Sequence, residues 1–487
     1  MTHPPRSSLI LLGAMLGAVR AAAAQSPPPA KFSSAADSLQ KLVTSGFMPS
    51  VAFSVVNGSG TIYEGAFGYA DRERRVRATP RTAYPVASVA KSYTAIGALR
   101  AIDARRIDLD ARANQYLGTD SIEVPVGDPQ RLTVRALLHM TAGIPHVVRF
   151  HWPGEPSDRT WDKRLGHFAA FPPGEQFHYS NQSLGIVGEI LARVSRKSFG
   201  RYMRDEVFRP LGMTSTAVRV SELPANLVAR AYRDKPTRPT WFTRLDPEPG
   251  AGMYTSAHDM TTLARRVILN PDDNFLSASV RQNLTDFSQY PFYSAGWWKD
   301  PFRLEGTTLL ADGAAFGHSA SMKVLPVEGF AVAVTVNGAV PDGFTLELCD
   351  LLLRAAMDGK TIPTKKEIPE QYLDRPVAGD TSWLGNWSGY VQTPAGKVAI
   401  RMSFDSAGMM VGLGDAPLQR VNGSLSQGIL EAKIPGELPR SVVAGVPHQL
   451  RSNFRKNGDR VSGYVSAATQ LAGRPFTVLP FLASLER

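Results

Sequence analysis

Ser88 and Lys91 stand three residues apart in TAYPVASVAKSYTAIGALRAIDARR. An alcohol is a weak nucleophile at neutral pH and needs an adjacent base; a lysine whose ammonium is destabilised by burial can share that task. Two further groups suit the same chemistry. Tyr179 and Asn181, in Tyr179-Ser180-Asn181, offer a phenol that can exchange a proton and an amide that can bond both an amine and a substrate carbonyl. Gly317-His318-Ser319-Ala320-Ser321 brings an imidazole among small residues, where an acyl substrate can approach the backbone closely.

The elements around these residues must hold them together. Pro80 and Pro85 interrupt any pattern before Ser88, and Ala90, Ala95, Ile96, Ala98, Leu99, Ala101 and Ile102 form an apolar helical face after it. Ser88 therefore falls at a helix start, with Lys91 one turn on along the same face. Tyr179 precedes a second helical run, QSLGIVGEILARVS. His318 lies in TTLLADGAAFGHSASMKVLPVEGFAVAVTVNG, which reads as two or three antiparallel strands. Residues 33–46 read as a helix, and VAFSVVNGSGTIYEGAFGYAD as a hairpin around Asn57-Gly58. GAGMYTSAHDM reads as a Gly-rich loop capped into a helix at Ser256. Strands at both ends with helices between predict an α+β domain, its sheet built from the N- and C-terminal parts with a helical region inserted. Residues 146–178 read as a long excursion.

The order SVAK, YSN about ninety residues later and HSA about 140 after that resembles the class C β-lactamase and penicillin-binding-protein superfamily of serine hydrolases. Its marks are Ser-x-x-Lys, Tyr-x-Asn, and Lys-Thr-Gly or His-x-Gly. LTVRALLHMTAGIP, FPPGEQFHYSNQSLGIVGEIL and GAGMYTSAHDM look like further stretches of that family, so the resemblance covers roughly residues 33–357. It implies that Ser88 is acylated, that Lys91 assists its deprotonation, and that Tyr179 is the partner base and later the acid; which of the two holds the proton stays open. Asn181 would hold Lys91 and the substrate, with His318, Ser319 and Ala320 beside the substrate. The N–H groups of Ser88 and Ser321 would form the oxyanion hole. His318 stands where β-lactamases usually have Lys, and Ala320 where the family has Gly. Both departures favour D-amino acid peptides, amides or esters over β-lactams. The alternatives are a β-lactamase, or a penicillin-binding or peptidoglycan-sensing protein that stalls at the acyl-enzyme.

The chain divides at composition changes. Arg6, the apolar run SLILLGAMLGAV and Ala22-Ala23-Ala24 read as a signal peptide over residues 1–24, predicting export to the periplasm or beyond. No Cys follows that run, so no lipid anchor is expected. Residues 25–357 are the expected hydrolase domain, 358–380 a Pro-rich charged linker, and 381–487 a small all-β barrel. In this last part Trp383-Leu384-Gly385-Asn386-Trp387-Ser388-Gly389 resembles a lipocalin-like domain, which either shapes access to the active site or is a structural module; the second is favoured, since no chemical group stands out in it. The net charge of +11 falls to about +9 without the signal peptide. The basic residues are scattered rather than clustered with aromatics, which argues against nucleic acid as a partner. The expected partner is a small-molecule or short-peptide substrate. His139, His146 and His151 lack metal-ligand spacing, so no metal or other cofactor is expected. Cys349 is the single cysteine and is read as core, and Trp297-Trp298 as core or as a wall of the cleft.

Overall fold

A computed structural model describes residues 27–151, 167–233, 239–240, 244–270, 272–300, 306–358, 374–439, 441–442, 447–469 and 477–487. The signal peptide, most of the linker and the middle of the 146–178 excursion lie outside the described residues.

The first domain is built on an antiparallel sheet of eight strands among the described residues: β1 (Ser50–Asn57), β2 (Gly60–Asp71), β3 (Val76–Arg77), β4 (Tyr293–Ser294), β5 (Trp297–Lys299), β6 (Leu309–Ala315), β7 (His318–Leu325) and β8 (Phe330–Val336). Their spatial order is β4-β5-β6-β7-β8-β1-β2-β3. The two ends of the domain meet where β1 pairs with β8, from Val51↔Val336 to Asn57↔Phe330. This is the sheet that the terminal strand patterns predict.

Side-chain alternation explains why both faces are covered. Val51, Phe53 and Val55 on β1, with Val332, Val334 and Val336 on β8, point into one core cluster. There they meet Leu348, Cys349, Leu352 and Leu353 of α5 (Phe344–Ala356), and Leu39 of α1 (Ser33–Thr44). Ala331 and Ala333, one residue out of phase, face the other core. That core contains the inserted helices: α2 (Ala90–Asp103), α3 (Asn181–Ser195) and α4 (Ala257–Ala264). Ser256 caps α4 by accepting a hydrogen bond from the Asp259 N–H, as the sequence predicts.

The C-terminal region is, among the described residues, a ten-stranded antiparallel sheet curled into a half-barrel. Its strands are β9 (Arg375–Pro376), β10 (Gly385–Thr393), β11 (Gly396–Asp405), β12 (Gly408–Leu413), β13 (Gln419–Val421), β14 (Gly423–Ser426), β15 (Ile429–Ile434), β16 (His448–Asn457), β17 (Arg460–Thr469) and β18 (Thr477–Glu486). Trp383, Trp387, Phe404, Leu430, Phe454 and Val465 fill its inside as a separate apolar core. The same alternation turns Glu431, Arg451, Asn453 and Tyr464 outward, toward the first domain. A backbone bridge joins the two parts: Val478 N–H donates to Val148 O at 2.8 Å, and Val148 N–H returns the bond at 3.4 Å. Arg455 Nη1 also lies 3.1 Å from a Glu175 carboxylate oxygen.

Candidate active site

Ser88 sits in a tight turn, Ala87–Val89, that leads directly into α2. Ala87 is held at φ +43°, a left-handed conformation that L-residues rarely adopt. The turn is pinned by Val86 N–H donating to Met253 O at 3.0 Å. Backbone strain next to a reactive side chain is common where surrounding packing over-determines the geometry.

Lys91 is buried one turn further on, and its Nζ meets three acceptors. Ser88 Oγ is 3.0 Å away, Asn181 Oδ1 2.5 Å and Gly250 O 2.8 Å. Burial holds the Lys91 ammonium well below the usual lysine range. A neutral amine has two protons and one lone pair. Asn181 and Gly250 can take the protons, and the lone pair then faces the Ser88 hydroxyl. Gly250 comes this close because it has no side chain: a Cβ there would lie 2.5 Å from Asn181 O. Thr94 Oγ1 donates to Pro249 O at 2.7 Å and ties the same loop to α2.

Asn181 is the first residue of α3, and Tyr179 lies just before its cap. Ser180 caps the helix from Ser183 N–H and donates its own proton to Pro145 O at 2.7 Å. This fixes the Tyr179 and Asn181 side chains on the Ser88 side. Burial pushes the Tyr179 pKa well above the ordinary phenol range, an effect that the neighbouring Ser88 hydroxyl tempers. The Tyr179 ring stacks against Trp298 at 5.7 Å and against His146 at 5.9 Å, and Lys91 Nζ lies 4.6 Å from its centroid. Trp297 is fully buried, and Trp298 packs half-buried against the same core beside Tyr179.

The strand beside Ser88 is β6. At Gly313 an added Cβ would lie 2.3 Å from Val86 O and 2.7 Å from Ser88 N. Strand β5 pairs with β6 only at Leu309 and Leu310, which leaves the Ala311–Ala315 edge without a strand partner among the described residues. Ser321 is placed differently from the sequence expectation. It lies on β7, paired on both sides, with Asp312 of β6 and Val334 of β8. Its hydroxyl bonds Asp312 and Thr345, at 2.5 and 2.6 Å, on the α5 side of the sheet. An interior strand commits its N–H groups to its neighbours, whereas the open edge of β6 keeps backbone groups turned toward the Ser88 turn.

His318, Ser319 and Ala320 lie at the start of β7. His318 and Ser319 border the Ser88 cavity, whereas Ala320 points into the helical core. Burial lowers the His318 pKa to about 3, so the ring is neutral at ordinary pH. Sequence reasoning missed Arg233, which lines the same cavity of about 480 Å³ and lays its guanidinium over Phe316, 4.6 Å from the ring centroid. Among the described residues it has no carboxylate partner. A larger cavity of about 1130 Å³ adjoins, sharing His146, Val148 and Tyr179 and walled on its far side by the outward face of β14–β18. The half-barrel thus borders the site instead of standing apart as a module. Among the described residues no group of three His, Cys, Asp or Glu could hold a metal ion, and no helix is long and apolar enough to cross a membrane.

Comparison with known proteins agrees with this architecture. Protein flp of Staphylococcus aureus (strain NCTC 8325 / PS 47) is 24% identical over 351 residues, covering 68% of this chain and 67% of that protein. The octameric penicillin-binding protein homologue from Pyrococcus abyssi matches over 92% of this chain and 99% of its own, with a TM-score of 0.56 and 19% identity. The structure of SurE with D-Leu matches over 93% and 100%, with a TM-score of 0.61 and 20% identity. At such identities the structural matches speak for the fold alone. The Beta-lactamase family model matches residues 35–356, more than half of the sequence, and the chain belongs to that family.

Proposed function

We propose that the protein is an exported serine hydrolase that cleaves an ester or amide through an acyl-enzyme on Ser88. The observation that carries this reading is the Lys91 amine, buried, held by Asn181 and Gly250, and aimed at Ser88 Oγ. In the proposed cycle the Lys91 lone pair accepts the Ser88 proton as Oγ attacks the substrate carbonyl. The oxyanion is met by the Ser88 N–H and a donor on the free edge of β6, with Ala314 the position following Gly313. The Tyr179 phenol protonates the leaving group and is reprotonated from the Lys91 ammonium. Water then enters and gives a proton to Lys91 as its oxygen attacks the acyl carbonyl; collapse of the tetrahedral intermediate expels Ser88 Oγ, which takes that proton back from the Lys91 ammonium, so that the acid leaves and both groups are restored. The pKa directions favour this division of roles: a lowered lysine is a base and a raised phenol a proton donor.

The substrate reading is a D-amino acid peptide, amide or ester. One structural relative was solved with D-Leu. The adjoining cavity has room for a chain extending beyond the acyl centre. The close approach of Gly313 to the Ser88 turn supports a reading in which the third motif is Ala311-Asp312-Gly313, whose first position carries a methyl group instead of a basic side chain. That favours a peptide or ester over a β-lactam as the main substrate. The C-terminal region keeps its resemblance to lipocalin-like domains as a proposal about ancestry, since its inside is filled by side chains.

A fluorophosphonate probe and a panel of nitrocefin, short p-nitrophenyl esters and D-alanine anilides test the reading. Labelling and turnover lost in Ser88→Ala are expected, with ester or anilide turnover exceeding that of nitrocefin. Equal labelling of wild type and Ser88→Ala would overturn it.

A further inference from the structure

Tyr464, on β17 of the half-barrel, is fully buried against the first domain, in a cluster with Ala170, Phe171 and Ile429. Its hydroxyl accepts a hydrogen bond from His146 N–H at 3.4 Å and lies 3.0 Å from His178 Nε2. We propose that Tyr464 is a positioning residue for the Tyr179–Asn181 segment, so that the C-terminal half-barrel is part of the catalytic apparatus. This inference rests on the hydrolase reading above.

A chain of hydrogen bonds runs from Tyr464 to Lys91. The Tyr464 oxygen holds the His146 backbone. His146 Nδ1 accepts the Asn181 N–H at 3.3 Å, and the His146 ring stacks on Tyr179. Asn181 Oδ1 in turn holds Lys91 Nζ. Three hydrogen bonds therefore connect a side chain of the half-barrel to the amine beside Ser88. The Tyr464 hydroxyl is also hydrogen-bonded to His178 Nε2 at 3.0 Å. His178 immediately precedes Tyr179, so the same hydroxyl fixes the chain on both approaches to the phenol.

Packing and hydrogen bonding can be separated. The Tyr464 ring meets Phe171 and His178 edge-on, with centroids 6.2 and 5.6 Å apart. Phenylalanine keeps those contacts and removes only the hydroxyl. His146 N–H and His178 Nε2 then lose a partner in a buried place, and the His146 ring is no longer held in register with Asn181. A displacement of about 1 Å at a reacting group costs on the order of 10²-fold in rate.

The test compares full-length wild type, Tyr464→Phe and Arg455→Gln, the last breaking an ion pair between the two parts without touching the hydrogen-bond chain. Each is measured for melting temperature, fluorophosphonate labelling rate, and kcat and KM on p-nitrophenyl butyrate. For Tyr464→Phe the expected result is a folded protein whose KM stays within about two-fold, while kcat and the labelling rate fall about ten-fold or more. Arg455→Gln keeps wild-type kcat. Wild-type kcat in Tyr464→Phe overturns the inference, and so does an equal loss in Arg455→Gln, which would trace the effect to loosened packing. If Tyr464→Phe fails to fold, the tyrosine is structural and the inference also falls. Failure of the hydrolase reading looks different: wild type and Ser88→Ala would label alike whatever stands at 464.

Discussion

Asn181 Oδ1 accepts a hydrogen bond from Lys91 Nζ at 2.5 Å, joining the start of α3 to the first turn of α2. The amide is neutral, so it orients the amine without a full charge to stabilise the ammonium. Asn181→Asp places a carboxylate at the same distance. A facing anion favours the protonated lysine, and the base is then occupied at neutral pH. Ester turnover at pH 7 is expected to fall about 10²-fold, the scale of general-base effects, and to recover as pH is raised. A variant that is equally impaired at every pH would show that Asn181 acts through shape alone.

The wild-type pH profile follows from the same pair of groups. Burial lowers the Lys91 pKa well below that of a free lysine and raises that of Tyr179. Activity that requires a neutral amine is absent below the lowered Lys91 pKa and rises as pH passes through it. Activity that requires a protonated phenol is retained until the raised Tyr179 pKa is reached. The profile of kcat/KM for a p-nitrophenyl ester should therefore climb on the acid side and stay level well into the alkaline range. A profile that falls through the range of a free phenol would contradict the assignment of Tyr179 as the acid.

Of Arg233 and His318, which both line the Ser88 cavity, only Arg233 brings a charge to it. The imidazole is neutral by burial, while the guanidinium is a permanent cation seated on Phe316. Arg233→Gln is expected to raise KM for an ester carrying a free carboxylate about ten-fold and to leave the matching methyl ester unchanged. The estimate is the about 1.5–3 kcal/mol of a charge-assisted hydrogen bond, reduced by solvent access. Equal effects on the two substrates would show that Arg233 does not read charge. His318→Gln removes no charge and should leave the ratio between the substrates intact.

How much of this was legible beforehand depended on the range over which each feature is set. Ser88 and Lys91 are three residues apart, and helix geometry alone brings them together. Tyr179 and Asn181 stand beside a helix start that the pattern QSLGIVGEILARVS marks, although only the structure shows that Ser180 is the cap. The sheet of terminal strands followed from alternation at both ends. The Gly250 carbonyl was invisible because a backbone acceptor has no residue type; only the glycine that permits its approach shows in the sequence. Arg233 was one scattered basic residue among many. The half-barrel's outward face could be read as polar from its period of two, but the surface it meets is fixed by docking through Val148, Val478 and Tyr464. The third motif failed for a related reason. Two neighbouring strands, Leu309–Ala315 and His318–Leu325, both carry small residues, and sheet order alone decides which of them abuts Ser88.

That ambiguity gives the last prediction, a comparison of two glycines in one hairpin. At Gly313 an added methyl meets Val86 O at 2.3 Å and Ser88 N at 2.7 Å, both backbone atoms of the nucleophile turn, so no flexible side chain can yield. At Gly317 it meets the backbone of Tyr232 at 2.7 Å, and φ there is +74°. Both Gly313→Ala and Gly317→Ala are therefore expected to lower stability, on the scale of about 1–3 kcal/mol for overpacking. Their effects on chemistry should separate. Gly313→Ala displaces the Ser88 turn from the β6 edge and should lower fluorophosphonate labelling about 10²-fold in the fraction that remains folded. Gly317→Ala strains the hairpin end next to His318 and should change labelling far less per folded molecule. Labelling rates measured well below each melting temperature make the comparison. The opposite ranking would return the site strand to β7 and restore His318 and Ser321 to the places that the sequence alone suggested for them.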